Sequence, residues 1–404
     1  MLPIEAYIPE ILAKLGEGNS LVLQAEPGAG KSTVVPLSLL KADFLKGKKI
    51  IMLEPRRVAV KSIAFYLARL LDEKVGQRIG YQIRNESKKS KQTVLEIVTE
   101  GVLTRRLQHD PELSDVGLII FDEFHERSIH ADLALMLSLE VQEAYREDLK
   151  LLVMSATIDT EKISTYLNQA PIMECPGRTY PVEVEYLGRS SSHLSIQVIK
   201  ALNQVVKNTV NGDILVFLPG QADIKRCIKS AKEQYHSTLD LLPLYGGLPL
   251  AQQELVLSQK NTNRRRVIFS TNIAETSLTI EGITNVIDSG LEKKLWFDSK
   301  SGLSRLETSY ISKASAIQRA GRAGRLQSGQ CIRLWSAAQH HGFNDFQDEE
   351  ITTSNLASLT LDLSAWGITS FEEVNWLTAP PKYHFDVAGQ LNQSLGLLDQ
   401  KKTI

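Results

Sequence analysis

The sequence predicts an α/β protein with two tandem lobes, each built on a parallel sheet, followed by a small, mostly helical module. Short apolar runs alternate with amphipathic helical patterns, and this alternation restarts once along the chain. Strands that alternate with helices favour a parallel sheet that is covered on both faces. The predicted boundaries place the first lobe at residues 1–176, the second at 177–348 and the helical module at 349–404.

The individual elements follow from the same periodicities. In the first lobe the predicted strands are Leu21–Ala25, Ile50–Leu53, Leu95–Thr99, Leu118–Phe121 and Leu151–Met154, and the predicted helices are Val58–Leu71, Val102–Leu107 and Ala131–Glu143. In the second lobe the strands are Asp213–Leu218, Leu241–Leu244, Val267–Ser270 and Val286–Ile287, and the helices are Leu194–Val206, Ala222–Lys232 and Ala251–Leu257.

Two further segments stand out between and after these elements. The proline- and glycine-containing stretch Pro176–Arg189 predicts the seam between the lobes. Residues 291–312 alternate polar and apolar side chains around a Ser-Lys-Ser-Gly turn, which predicts a β-hairpin.

Composition sets limits on the class of protein. The chain has 404 residues, 43% of them hydrophobic, and a net charge of -1. These values favour packed cores and exclude both a disordered chain and a uniformly basic nucleic-acid coat. The three cysteines are too scattered for a disulfide framework, and no apolar run reaches the ~20 residues of a membrane span. The sequence predicts a soluble, cytoplasmic protein with no membrane partner.

A glycine-rich loop lies between the first predicted strand and a helix, in the stretch Ala-Glu-Pro-Gly-Ala-Gly-Lys-Ser-Thr. This is the strand–loop–helix context of a phosphate-binding loop, and a chance glycine turn is the weaker alternative. The glycines let backbone N–H groups face phosphate oxygens, the lysine reaches the β- and γ-phosphates, and the serine hydroxyl binds Mg²⁺. The predicted nucleotide-binding residues here are Gly28, Ala29, Gly30, Lys31, Ser32 and Thr33.

An acidic pair, Asp122 and Glu123, follows the apolar run Leu118–Phe121. Burying two carboxylates is costly unless a cation is present. We therefore expect Asp122 to hold Mg²⁺, partly through water, and Glu123 to act as general base for the attacking water. The alternative is an acidic helix cap. His125 is expected to hydrogen-bond across the cleft between the lobes, and its spacing from His130 argues against a zinc site.

A basic block, Gln-Arg-Ala-Gly-Arg-Ala-Gly-Arg, lies almost 300 positions after the phosphate loop. Three-residue spacing on a helix would place Arg322 and Arg325 on roughly one side, where they could stabilise charge on a γ-phosphate, and Gln318 could orient the lytic water. The alternative is a solvated basic helix end. The catalytic prediction requires the second lobe to close on the first.

Taken together, the motifs resemble those of the DEAH/RHA helicases of superfamily 2, and most closely their bacterial HrpB branch. They occur in the family's order and extend over nearly the whole chain: AEPGAGKST, EPRR, TEGVLTRRL, DEFH, SAT, FLPG, STNIAETSLTI and QRAGRAGR. The resemblance implies two RecA-like lobes, ATP and Mg²⁺ as ligands, and a monomer that unwinds nucleic acid, with single-stranded RNA the favoured partner. The segment after Glu350 resembles the start of a winged-helix domain.

Further roles rest on this resemblance alone. It implies that Ser155 and Thr157 couple hydrolysis to strand movement, that Glu275 and Thr276 line the second lobe's face of the nucleotide site, and that the hairpin around Lys300–Gly302 separates strands. The implied nucleic-acid contacts are Arg56, Arg57, Arg84, Thr99, Gly101, Thr271 and Asn272.

The sequence departs from the family in two ways. Phenylalanine stands in DEFH where alanine is usual, with little expected effect on magnesium chemistry. The family's helical-bundle and OB-fold domains have no counterpart in these residues, so the resemblance predicts a shortened chain with weakened processive unwinding. Two alternatives remain open: an RNA-stimulated NTPase that remodels RNA–protein complexes without unwinding, and a DNA helicase.

Overall fold

A computed structural model describes most of the chain, with short gaps. The described residues are 2–26, 28–45, 47–156, 159–177, 180–188, 190–258, 264–275, 280–401 and 403–404. They divide into two compact units, which are Met1–Gly177 with Leu295–Arg305 and Asp348–Ile404, and Arg178–Lys294 with Leu306–Gln347. None of the helices in this described part is both long and apolar enough to cross a membrane.

The first unit is built on a mainly parallel sheet with helices between its strands. Its strands are β1 Ser20–Ala25, β2 Lys49–Leu53, β3 Ile79–Ile83, β4 Glu86–Lys88, β5 Leu95–Val98, β6 Val116–Phe121, β7 Lys150–Ser155 and β8 Ile172–Cys175. Its helices before residue 177 are α1 Ile8–Glu17, α2 Lys31–Leu39, α3 Arg57–Leu70, α4 Glu100–His109, α5 Ile129–Ala144 and α6 Thr160–Tyr166.

The strand order of this sheet, over the described residues, is β4-β3-β5-β2-β6-β7-β1-β8. Only the β3–β4 pair is antiparallel among the pairs that these residues form. Strand β6 explains the continuous apolar run in the sequence, because all six of its residues are buried between helical layers. The parallel α/β prediction is confirmed for this lobe.

The second unit repeats the plan. Its strands, with those of the hairpin, are β9 Val182–Tyr186, β10 Asp213–Phe217, β11 Leu239–Leu244, β12 Arg265–Ser270, β13 Ile283–Asp288, β14 Leu291–Asp298, β15 Leu303–Tyr310 and β16 Gly329–Arg333. Its helices are α7 Leu194–Asn208, α8 Gln221–Tyr235, α9 Leu250–Ser258, α10 Lys313–Gly321 and α11 Ala337–His341. The sheet order within the described residues is β11-β12-β10-β13-β16-β9, with every pair parallel.

The predicted seam contains a strand that the sequence analysis did not identify. Strand β9 lies inside Pro176–Arg189 and pairs with β16. Its sequence, Val-Glu-Val-Glu-Tyr, alternates apolar and acidic residues, as an edge strand with one solvated face does. Part of the predicted seam therefore belongs to the sheet of the second unit.

The predicted hairpin is confirmed as a two-stranded sheet of β14 and β15. Asp298 organises its turn: its carboxylate accepts hydrogen bonds from the Lys300 backbone N–H at 3.0 Å and the Ser301 hydroxyl at 2.7 Å. Gly302 closes the turn with a φ of +69°, a conformation that side chains disfavour.

The C-terminal segment is helical, with α12 Glu350–Thr353, α13 Ala357–Trp366 and α14 Lys382–Ser394. These helices belong to the compact first unit, and they bury Leu359, Leu363 and Phe385 in one core with the apolar faces of α4 and α5. The Trp366 indole donates to Glu140 Oε2 at 3.0 Å, which fixes α13 against α5. This helical region therefore extends the first lobe's core.

Candidate nucleotide and nucleic-acid site

The glycine-rich loop connects β1 to α2 and has the backbone that its sequence predicts. Gly28 and Gly30 take φ values of +88° and +98°, in the left-handed region where glycine is favoured. Thr33 bonds back through its hydroxyl to the Gly30 carbonyl at 3.2 Å, at the start of α2. The helix N-terminus that follows the loop provides the partial positive charge that suits a phosphate.

Residues at the start of the chain pack against this loop. The Ile4 N–H donates to the Ala29 carbonyl at 3.1 Å. A Cβ placed on Gly30 would lie 3.0 Å from Leu2 Cδ1 and 3.1 Å from Ile4 Cγ2. Gly30 is therefore required both for its backbone conformation and for this close approach.

The lysine of the loop forms a buried ion pair with the candidate base. Lys31 Nζ lies 3.1 Å from Glu123 Oε2, and the side chains are 5% and 9% exposed. Burial alone would lower the pKa of Lys31, but Glu123 and Asp122 more than offset it, so this pKa lies above its ordinary value. The structure thus brings together these three predicted residues, from two separate strand ends.

The neighbouring Asp122 has the features of a cation ligand. Burial, followed by repulsion from Glu123, raises its pKa to about 7. One carboxylate oxygen accepts the Glu123 N–H at 2.9 Å. The other, Oδ2, is buried and accepts no well-formed hydrogen bond from the described residues, although the nearby Ser32 hydroxyl favours the ionised form. A buried carboxylate oxygen that accepts no well-formed hydrogen bond, close to a hydroxyl group, is suited to bind Mg²⁺.

The backbone at Glu123 is strained, with a φ of +50° in the left-handed region. Phe124 anchors this turn: it is 2% exposed and packs edge-on against Phe121 with ring centroids 6.0 Å apart. The phenylalanine of DEFH is therefore a core residue. His125 lies beside the pair, with Nδ1 3.5 Å from Glu123 Oε2.

The predicted nucleic-acid contacts of the first lobe lie along one edge of the sheet. Strands β3, β5 and β2 are parallel neighbours, so their carboxyl ends share an edge. The residues that follow these ends are Arg84, Thr99 with Gly101, and Arg56 with Arg57. Arg84 and Arg57 are exposed, whereas Arg56 is paired with Glu126 at 3.0 Å.

The predicted coupling motif begins at the carboxyl end of β7, on the same edge of the sheet. Ser155 ends β7 and is fully buried, with an Oγ that forms no hydrogen bond to the described residues. Thr157 of this motif lies outside the described residues, as does Thr276 of the second lobe. The strand order therefore places the first lobe's predicted residues one after another along this edge of the sheet, from Arg84 after β3 to the phosphate loop after β1.

In the second lobe, the helical spacing expected for the arginine block is wrong. Helix α10 ends at Gly321, so Arg322 and Arg325 lie on the following turn. At this turn Gly324 approaches Tyr180 closely: an added Cβ would lie 2.5 Å from the Tyr180 carbonyl oxygen. Gln318 and Arg322 are buried and Arg325 is half-buried.

The second lobe's other predicted residues lie on a neighbouring loop. Thr271 and Asn272 directly follow β12, and Asn272 is exposed. Glu275 is buried, and its backbone carbonyl accepts the Arg322 Nε–H at 2.9 Å. The structure thus joins the arginine block to the loop that carries the candidate nucleic-acid contacts.

Three residues at or near these sites were not predicted from the sequence: Glu54, Arg127 and Arg319. Glu54 is fully buried, and its charge helps to raise the pKa of Lys31. Glu54 could have been recognised as a candidate site residue, because this carboxylate directly follows the apolar strand β2. Arg127 makes two 2.8 Å bonds to Asp132, and Arg319 is 1% exposed between two carboxylates. Their spacing in sequence gives no sign of these partners.

Comparison with known proteins defines the class. Residues 5–165 match the DEAD/DEAH box helicase family and residues 197–327 match the helicase conserved C-terminal domain. The chain is therefore similar to both of these helicase domain families.

Within this class, the chain is similar to ATP-dependent RNA helicase HrpB of Escherichia coli, with 43% identity over 99% of this chain and 49% of the relative. It is 38% identical to ATP-dependent RNA helicase HrpA of Borreliella burgdorferi, over 100% of this chain and 49% of the relative. The crystal structure of the E. coli DEAH/RHA helicase HrpB superposes with a TM-score of 0.93 and covers 100% of this chain and 52% of that one.

These findings confirm the predicted fold and the resemblance to the HrpB branch. The chain spans about half the length of the curated relatives it matches.

Proposed function

We propose that this chain is the motor core of an ATP-dependent RNA helicase, which couples ATP hydrolysis to movement along single-stranded RNA and to separation of duplexes. One observation supports it most: Lys31, Glu123 and Asp122 meet in a buried cluster next to a glycine loop, at one edge of a parallel sheet. Ligands of parallel α/β sheets bind at the carboxyl ends of strands. The names of the relatives support the RNA preference.

The first lobe would supply most of the hydrolytic chemistry. Lys31 would leave its pairing with Glu123 to bind the β- and γ-phosphates, and that exchange would free the Glu123 carboxylate to take a proton from the attacking water. Ser32 and Asp122 would hold Mg²⁺, which supplies charge neutralisation on the phosphates when bound. The raised pKa of Asp122 means that this carboxylate must lose its proton for metal binding.

The second lobe would complete the reaction. In this proposal Gln318 orients the water, and Arg322 and Arg325 neutralise the γ-phosphate as bond breaking proceeds. Glu275 and Thr276 line the nucleotide from that side. The residues that hold the phosphodiester backbone in this proposal are Arg56, Arg57, Arg84, Thr99, Gly101, Thr271 and Asn272. The hairpin with Lys300–Gly302 at its turn separates the strands.

The test compares ATP turnover without polymer, with single-stranded RNA and with single-stranded DNA, and adds strand displacement on a duplex with a single-stranded overhang. We expect RNA to stimulate turnover more than DNA does, and ATP to be required for displacement. Lys31→Ala should abolish both activities, and the exposed Lys41→Ala should retain both as the matched control.

Three results would contradict parts of this proposal. RNA-stimulated turnover without displacement would favour remodelling of RNA–protein complexes. Stronger stimulation by DNA would favour a DNA helicase. Turnover that persists in Lys31→Ala would remove the phosphate loop from the mechanism.

A further inference from the structure

Arg319 lies between two candidate catalytic residues, Gln318 and Arg322, but its side chain points into the second lobe's interior. It is 1% exposed. Its Nε lies 2.8 Å from Glu275 Oε2, and its Nη1 lies 3.1 Å from Asp288 Oδ1. The guanidinium also stacks over the Phe217 ring, 4.9 Å from the centroid. Two carboxylates and one aromatic face therefore fix its position.

The first carboxylate connects Arg319 to the loop of residues 271–275, named here the nucleotide-facing loop because the proposed function places its end at the nucleotide. Glu275 ends the short segment after β12 that begins with the candidate nucleic-acid contacts Thr271 and Asn272. The Ser315 hydroxyl, one turn earlier on α10, donates to the same carboxylate. Together with the bond from Arg322 Nε to the Glu275 carbonyl, these contacts fix the loop to α10.

The second carboxylate connects Arg319 to the base of the hairpin. Asp288 ends β13, and its Oδ1 also accepts the Gly290 N–H at 2.9 Å. Arg319 Nη1 donates to the carbonyl of Leu291, the first residue of β14, at 3.3 Å. The Gln347 amide then joins Glu292 of β14, at 2.9 Å, to the α10 residue Ser315, at 3.2 Å.

We propose that Arg319 is a positioning residue that couples the arginine block and the nucleotide-facing loop to the base of the strand-separating hairpin. This inference rests on the proposed function for the roles of those elements. Because one buried guanidinium serves both carboxylates, displacement of α10 would leave a charge uncompensated unless the loop and the hairpin base moved with it. The three elements therefore move as one body during the ATP cycle.

The main variant, Asp288→Asn, removes the charge of the carboxylate that connects Arg319 to the hairpin base and leaves Glu275 unchanged. Asp288→Asn keeps the shape of the side chain and lies outside the proposed catalytic and binding residues. We expect it to retain RNA-stimulated ATP turnover while strand separation per ATP falls about tenfold, which corresponds to about 1.4 kcal/mol of lost coupling. The matched control is Arg226→Gln, a 54% exposed arginine side chain on α8 of the same lobe, which should behave as the parent does.

Hydrogen–deuterium exchange gives a second readout that needs no activity. In Asp288→Asn and in Arg319→Lys, which keeps a charge but loses the fork, amides of Leu291–Lys294 should exchange faster while β10 amides keep the parent's rates. If the parent neither hydrolyses ATP nor separates strands, the proposed function fails. Hydrogen–deuterium exchange still tests whether Arg319 holds the hairpin base in position.

Two outcomes would overturn the inference. One is equal loss of ATP turnover and strand separation in Asp288→Asn, because that would make the network a general support of the fold. The other is parent-like exchange at the hairpin base in both variants, because that would show that Arg319 does not hold it.

Discussion

Asp122→Asn should stabilise the chain while it abolishes magnesium-dependent turnover. In the absence of ligands, Asp122 is buried beside Glu123, and its pKa is about 7 against an ordinary 3.8. At about 1.4 kcal/mol for each pH unit of that difference, the ionised carboxylate costs the folded state about 4 kcal/mol above pH 7. Asparagine has a similar shape and no charge, so it should recover much of that free energy.

The sign of the pH dependence follows from proton binding. Because the folded pKa lies above the unfolded one, the folded state holds an extra proton between pH 3.8 and about 7. The parent's stability from this group is therefore lost as pH rises through that window. The advantage of Asp122→Asn should be about 4 kcal/mol at pH 8 and about 2 kcal/mol at pH 5.

The assay is chemical denaturation at pH 5 and pH 8, followed by far-UV circular dichroism without nucleotide or metal. The matched control is Asp115→Asn, just before β6. Burial raises the pKa of Asp115, but bonds from Lys49 and Arg106 more than offset this and lower it, so asparagine there should reduce stability at pH 8. An Asp122→Asn chain that gains nothing at pH 8, or gains equally at both pH values, would refute the reasoning.

Three further outcomes are expected. Lys31→Ala should weaken ATP binding in a calorimetric titration whereas Lys41→Ala should not; equal affinity in the two variants would contradict the assigned role of Lys31. Arg322→Lys and Arg325→Lys should keep ATP affinity but lower turnover about 10³-fold, because lysine lacks the planar fork; parent-like turnover would exclude them from catalysis. Leu359→Ala should lower the free energy of unfolding of the first unit by about 2–5 kcal/mol, measured by denaturation, because it leaves a cavity between α13 and the lobe; a loss below 1 kcal/mol would mean that the helical region is not part of that core.

The features that could be predicted from the sequence have local causes. The phosphate loop is marked by glycines between an apolar strand and a helix, and the acidic pair directly follows a run buried on both faces. Parallel α/β topology then places the carboxyl ends of these strands on one edge. This topology brings Lys31 and Glu123 to the same edge, but the ion pair between them was not predicted from the sequence.

Other features depend on partners that are distant in sequence. Strand β9 alternates apolar and acidic residues as an edge strand does, but it lies among prolines and glycines that favoured a linker, and its pairing with β16 is not visible in the sequence. Gly324 approaches Tyr180 closely just beyond the end of α10, and a glycine within a helical pattern does not reveal that contact. The position of Arg319 likewise depends on two buried carboxylates, Glu275 and Asp288, which separate segments contribute.

Turnover and ATP binding by Glu123→Gln test the central claim most directly. Glutamine keeps the shape of the side chain and a contact for Lys31 but cannot take a proton from water. We expect ATP to bind with at least the parent's affinity while turnover falls by about 10²–10⁴-fold. Parent-like turnover in a folded Glu123→Gln chain would show that the cluster of Lys31, Asp122 and Glu123 is not where ATP is hydrolysed.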